Sequence, residues 1–409
     1  MSIIPIVKKI TILGLLMSVL TLVSCENSES ALKSKETGKM DTLQAQTTTE
    51  EREILSLRDW SEDQLLSSPE KLHKQKIPVK AKGIYLTGWS AGNSNFQKLL
   101  NLVNSTELNS MVIDMKEDDG RITYRSSLPL VKQVKADDVT FISDIDKVIQ
   151  TLNENNVYTI ARVVCFKDPY LAGKKPDWAM QRKTGGVWRD YKGVAWIDPY
   201  RKEVWDYNIA VAKEAAQKGF KEIQFDYVRF PASGWKVDKE VAFYQQNGKA
   251  KQQVIADFLS YAKKELAPYN VYISADVFGL VPSVTDDMQI GQKWELISPV
   301  VDYISPMMYP SHYANGTYGL AVPDAKPYET ILQGLKDAQA KDAMVRANNK
   351  ETAVIRPWYQ DFTARWVRGH IPYGPREVLA QIKAGKELGI EEYLMWDAGN
   401  SYSEQAWRK

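Results

Sequence analysis

Cysteine is nearly absent from this chain and histidine almost equally so, with two and three residues in 409. Two thiols exclude a disulfide-stapled framework. With Cys25 in the leader region and Cys165 alone on an apolar run, no intrachain disulfide is expected, and Cys165 reads as a buried free thiol. The histidines, His73, His312 and His370, lack zinc-binding spacing, so no metal ligand set is expected. An excess of charge is also missing. The 53 basic and 51 acidic residues leave a formal net charge of +2, which implies no strong field toward nucleic acid. Neither a phosphate-binding Gly-Lys-Ser/Thr sequence nor a dinucleotide fingerprint occurs, and no cofactor is expected. Low-complexity repeats are absent. The apolar run from Ile10 to Val23 is short for a bilayer span.

That run follows Lys8 and Lys9 and reads as the core of a signal peptide. Leu22-Val23-Ser24-Cys25 resembles a bacterial lipobox, in which the cysteine is lipidated and becomes the mature N-terminus. A plain signal peptide or an uncleaved anchor is the alternative. The expected organisation is a lipoprotein signal peptide over 1–24, lipidation at Cys25, and a flexible tether over 25–77 that includes a short helix near Glu50 to Leu66. A barrel domain over 78–409 follows. This places the protein outside the cytoplasm, held to the bacterial membrane or envelope by lipid, and a monomer is expected.

What the chain has in quantity is alternation. Eight short apolar runs, each ending in a polar or aromatic cluster, start at Lys82, Met111, Val157, Glu222, Val271, Val301, Ala353 and Glu392. Helical spacing fills most gaps, clearest over Phe141–Asn155, Arg201–Gly219, Val254–Leu266, Tyr328–Ala340 and Pro375–Gly389. Strand and helix alternating eight times predict an α/β fold, a parallel (β/α)8 TIM barrel. After the eighth run only Ser401 to Lys409 remain, so the eighth helix is short or missing. Two connections are long, Lys167–Pro199 and Ala232–Asn247, and both are rich in aromatics. Following strands on the catalytic face, they are expected to form substrate walls.

The fourth run, Ile223-Gln-Phe-Asp-Tyr-Val-Arg-Phe-Pro231, is the sharpest chemical signal. Alternation sets Gln224 and Asp226 on one face, with Asp226 near the carboxyl end of its strand. Burying a carboxylate there is costly, and an ion pair with Arg229 is the structural alternative. The fifth run puts Asp276 at equivalent height on the neighbouring strand. Two carboxylates flanking one site are the minimum for glycosidic cleavage: one meets the developing oxocarbenium ion, and the other protonates the leaving oxygen. Asp276 could instead be a cap or a turn acceptor. Asp114, Lys116, Arg162, Tyr309, His312, Trp358, Gln360, Trp396 and Asp397 also stand at strand ends and are substrate-binding candidates, as is Arg229. Among 12 Trp and 21 Tyr, the rings of Trp178, Trp188 and Trp196 in the first long loop are expected to stack on sugar, with core packing as the alternative for each. Asp118-Asp119-Gly120 resembles a fragment of a calcium loop but lacks its spaced ligands and terminal glutamate.

Lys82-Gly-Ile-Tyr-Leu-Thr-Gly88, Val112-Ile-Asp-Met-Lys116, Ala161-Arg-Val-Val164, Trp196-Ile-Asp-Pro-Tyr200, Gln224-Phe-Asp-Tyr-Val-Arg-Phe-Pro231, Ser305-Pro-Met-Met-Tyr-Pro310 and Leu394-Met-Trp-Asp397 together resemble the bacterial putative glycosyl hydrolase domain family, related to α-amylase-type barrels. The resemblance implies a nucleophilic Asp on the fourth strand, matching Asp226, and an acid on the fifth. That acid is commonly Glu where this chain has Asp276, and the usual His after the nucleophile is replaced by Val-Arg-Phe-Pro. The Asp-x-x-Asp-x-Asp-x-Glu pattern of chitinase-like barrels is lacking. The expected function is cleavage or transfer of glycosidic bonds in an extracytoplasmic oligo- or polysaccharide. The alternatives are a catalytically silent glycan-binding barrel at the envelope and a metal-dependent hydrolase of envelope polymers.

Overall fold

Residues 76–408 are described by the computed structural model. The expected signal peptide, Cys25, the short helix and the tether up to residue 75 lie outside the described residues. From Lys82 onward, eight parallel strands close on themselves: β1 (Lys82–Leu86), β2 (Ser110–Lys116), β3 (Tyr158–Val164), β4 (Glu222–Asp226), β5 (Tyr272–Phe278), β6 (Tyr303–Met307), β7 in two pieces (Val354–Ile355 and Trp358–Gln360), and β8 (Tyr393–Trp396). Closure runs through β8, which pairs with both β7 and β1. The interruption of β7 falls at Arg356-Pro357, where proline supplies no amide hydrogen to a ladder. The expected TIM barrel is therefore present.

Period-two alternation divides each strand between two cores. One face of each strand sends residues such as Ile113, Val163, Phe225 and Ala275 into the layer shared with the helices. Tyr85, Val112, Ile160, Trp358 and Leu394 fill the barrel interior. The helices of the outer layer are α1 (Asn95–Asn104), α2 (Ile145–Glu154), α3 (Lys202–Lys218), α4 (Lys251–Leu266), α5 (Trp294–Ile297), α6 (Pro327–Ala347) and α7 (Pro375–Glu387). Asp144 caps α2 by accepting from the Lys147 amide, and α3 stops at Gly219, whose φ of 106° suits a residue without Cβ. After β8 the described residues hold a single 3-10 turn, Glu404–Ala406.

The two long loops are ordered and joined. Gln181–Arg182 in the loop after β3 pairs antiparallel with Val241–Ala242 in the loop after β4. Asp198 links them again by accepting from the Tyr244 amide at 2.8 Å. The result is a small covering layer on the carboxyl side of β3 and β4.

Candidate active site

Arg162 organises the carboxyl end of the barrel. It lies on β3 in register with Asp114 of β2 and Gln224 of β4, so its side chain enters the interior between two acidic strands. Its Nη1 donates to Asp114 Oδ1 at 2.7 Å and its Nη2 to Asp118 Oδ1 at 2.7 Å. Nε and Nη2 both reach Asp226 Oδ2, at 2.9 and 2.6 Å. A guanidinium buried this deeply would be costly alone, and three carboxylates offset that cost. The ion pair considered for Asp226 is therefore made by Arg162. Arg229 instead donates to the Phe230 carbonyl at 2.9 Å, its guanidinium lying against Trp196, Tyr227 and Phe278.

Phe225 pairs with Ala275, so the next residues on β4 and β5, Asp226 and Asp276, stand at the same height. Their environments differ. Asp226 Oδ2 is filled by Arg162, while Oδ1 accepts only the Tyr227 amide. That amide is turned inward because Tyr227 adopts φ 48°, a left-handed conformation that costs a bulky residue about 1 kcal/mol or more. Among the described residues no cation contacts Asp276. Its Oδ1 accepts from Trp358 Nε1 at 2.7 Å, and burial followed by the charge of Asp226 pushes its carboxyl well above the ordinary aspartate range.

Further acidic groups surround this pair. Burial pushes Asp114 up to about 6, against the pull of Arg162 and a hydrogen bond from the Tyr85 hydroxyl. Burial and the neighbouring Asp114 push Glu117 up to about 8. Burial also acts on Asp118, but Arg162 and Lys167 outweigh it and hold this carboxyl below the usual range. Lys167 closes the rim with a 2.7 Å ion pair to Asp118. Two aromatic walls complete the interior. Trp396 stacks on Tyr85 with centroids 4.0 Å apart, and Trp358 meets Trp396 edge-on at 5.6 Å.

Of the residues expected at the site, Asp114, Arg162, Asp226, Asp276, Tyr309, Trp358 and Trp396 come together, and His312 stands on the rim. Others go elsewhere. Lys116 is two residues beyond Asp114 and should share its face, but the ladder shifts register between them. This bulge sends Lys116 outward, to a 2.8 Å ion pair with Asp168 and a 2.8 Å hydrogen bond with Asn208 of α3. Gln360 is buried and spent on Ser311, Asp324 and the Phe362 carbonyl. Asp397 accepts from Gly399 and Ser401 amides and so builds a turn. Trp178 and Trp188 are buried in the outer core, Trp188 donating to Glu240 at 2.9 Å. Trp196 is buried too, 6.0 Å from Tyr227, and donates to Asp190. The exposed rings of the covering loops are Tyr191, Trp235 and Tyr244, and Trp89 and Trp366 are exposed in other connections. Tyr85, Asp118 and Lys167 were not singled out as site residues from sequence. Tyr85 carries a legible signal, standing one residue from the end of β1 with inward parity.

The profile of the family described as "Putative glycosyl hydrolase domain" matches residues 83–402. None of the curated proteins matches. Among solved structures, the PgaB (BpsB) glycoside hydrolase domain from Bordetella bronchiseptica is similar with a TM-score of 0.57 and 13% identity, over 80% of this chain and 98% of that one. The C-terminal domain of a putative chitinase from Desulfitobacterium hafniense gives a TM-score of 0.51 and 10% identity, over 80% and 97%. A hypothetical protein from Ruminiclostridium thermocellum shares 45% identity over 47% of this chain and 97% of its own, with a TM-score of 0.43.

Proposed function

For a chain that belongs to the putative glycosyl hydrolase domain family over residues 83–402, we propose that the barrel cleaves or transfers glycosidic bonds of an extracytoplasmic oligo- or polysaccharide, with Asp276 as acid and Asp226 as the carboxylate that meets the anomeric carbon. The observation that carries this reading is the contrast between two carboxyls at one height: a guanidinium holds Asp226, while among the described residues no cation contacts Asp276, which is pushed toward its neutral form. Opposed environments are how one site keeps both an acid and a carboxylate.

The hydrogen bonds support a separate role for each oxygen in this reading. Oδ1 of Asp276 already accepts the Trp358 N–H, so Oδ2 carries the proton given to the leaving glycosidic oxygen. Oδ2 of Asp226 is filled by Arg162, so Oδ1, with one lone pair beyond the Tyr227 amide, faces the developing positive charge. As the aglycone departs, the proton passes from Asp276 to it and the carboxylate of Asp226 attacks or steadies the oxocarbenium centre. Water or an acceptor hydroxyl, giving its proton back to Asp276, then bonds to the anomeric carbon. Tyr85, Trp358 and Trp396 supply rings against which a sugar can rest.

The test is product release from defined glycans by the purified domain. The reading predicts turnover that Asp226→Asn abolishes. Binding without turnover by native protein would favour a silent glycan-binding barrel, and turnover abolished by a chelator would favour a metal-dependent hydrolase. We place the protein at the envelope through Cys25, on the strength of the lipobox-like Leu22-Val-Ser-Cys25. Cys25→Ala should release it from membranes or block processing. Unchanged membrane association and lipid labelling would overturn that placement.

A further inference from the structure

Aromatic side chains continue beyond the carboxylate centre. After β6 the chain passes Tyr309 and His312, and after β7 it passes Phe362 and Trp366. Tyr309 lies 6.4 Å from Trp396, Phe362 6.0 Å from Tyr309, and Trp366 6.0 Å from Phe362, measured between ring centroids. Exposure rises along this row. Tyr309 is buried, Phe362 half-buried, and Trp366 is 68% exposed. Phe362 and Trp366 are stacked within 21° of parallel, so the buried part of the row supports Trp366, the ring that is exposed.

A purely apolar platform would suit many partners, but a polar group beside this one narrows the choice. His312 is exposed and stands nearly perpendicular to both rings, at 87° and 88°. Its tautomer follows from its neighbours. Gln360 Nε2 donates to the Asp324 carboxylate and to the Phe362 carbonyl, each at 3.0 Å, and both of those oxygens only accept. Gln360 Oε1 is therefore the acceptor for Ser311, whose amide and hydroxyl donate to it at 3.0 and 2.7 Å. With the Ser311 proton so used, the 3.0 Å bond between Ser311 Oγ and His312 Nδ1 runs from the imidazole N–H to the hydroxyl oxygen. Nε2 is left as a lone-pair acceptor beside two flat rings.

We propose that Phe362, Trp366 and His312 form a saccharide subsite beyond the point of cleavage, for a pyranose with equatorial ring substituents. Such a sugar presents axial C–H groups to an aromatic face and hydroxyls at its edge, and His312 Nε2 accepts from one of them. Continuity of the row with Trp396 makes the ligand an oligosaccharide that spans both places. This inference rests on the glycoside hydrolase reading above for its ligand class, and it extends that reading to chain length.

The test is calorimetric binding of N-acetylglucosamine and β-1,4-glucose oligomers, as dimers and hexamers, to the inactive Asp226→Asn protein. Trp366→Ala and His312→Ala added to it should weaken hexamer binding by roughly tenfold or more, the size of one aromatic stacking contact, and leave dimer binding unchanged. His312→Gln, which keeps an acceptor near the Nε2 position, should recover part of the loss. Trp366 is exposed, so an unchanged melting temperature verifies that its variant is folded. Equal hexamer affinity with and without Trp366 would overturn the subsite alone. Failure of both series to bind at any length would overturn the subsite together with its ligand class. Loss of affinity in Trp366→Ala alongside no turnover by the native enzyme would uphold the subsite and sink the hydrolase reading.

Discussion

The two ends of the barrel interior both bury arginine among carboxylates, with different results. At the amino-terminal end, Arg356 donates to both oxygens of Glu222 at 2.9 and 2.8 Å and to Glu392 at 2.8 Å. The Tyr158 hydroxyl completes Glu222 at 2.9 Å, and the Tyr303 ring lies 3.5 Å from the guanidinium. Every carboxyl there touches the cation. At the carboxyl end Arg162 serves Asp114, Asp118 and Asp226, while among the described residues no cation contacts Asp276 or Glu117, and both are pushed upward. The first arrangement closes a barrel. The second leaves carboxyl groups surplus to its cations, a poor way to stabilise a fold and a suitable way to hold a proton.

Substitutions should separate these two designs. The largest effect is expected from Asp226→Asn and Asp276→Asn, each lowering kcat by about a thousandfold or more with the fold retained, as read by kinetics beside circular dichroism. If the enzyme is retaining, azide should rescue the two variants to products of opposite anomeric form. Near-native turnover by Asp226→Asn on a true substrate would remove the distinction between the ends.

Next in size is Arg356→Met. Removing the cation from a fully buried pair should cost about 3–5 kcal/mol in denaturant unfolding, with the pH profile of kcat/KM in the surviving protein unchanged. Arg162→Met should also destabilise, but it should shift the pH profile as well, because the carboxylates of the centre lose their shared cation. If the two variants give indistinguishable profiles, both ends are structural.

Glu117 offers a smaller test, read through stability. Its carboxyl rises from 4.5 to about 8 on folding, so between those values the folded state holds a proton that the unfolded chain has lost. Stability should therefore fall as pH rises through that window, by about 1 kcal/mol per pH unit or less for a partly exposed group. Glu117→Gln should flatten that slope. An unchanged slope would assign the burden to other groups.

The contrast between ends was only half legible in the sequence. Strand count, parity and the height of Asp226 and Asp276 follow from period-two alternation, so the fold and the central pair were readable. The bulge after Asp114 was not, because one inserted residue leaves the apolar pattern intact while turning Lys116 outward. Nor was the fate of Trp178 and Trp188: a loop rich in aromatics folds on itself when it can bury them, and pairing between Gln181–Arg182 and Val241–Ala242 makes that possible. Arg162 in place of Arg229 as the partner of Asp226 depends on register between strands far apart in sequence. Composition carries no trace of it.

The central claim is that Asp276 carries a proton while Asp226 is paired with Arg162, and infrared spectroscopy of the carboxyl groups tests the first part without any substrate. At pH 6, where an ordinary aspartate is ionised, the native protein should show protonated-carboxyl absorption to which Glu117 also contributes, and Asp276→Asn should remove one carboxyl's share of it, while the Arg162-paired control Asp118→Asn should remove none. A native spectrum from which Asp276→Asn subtracts no protonated band would contradict the account.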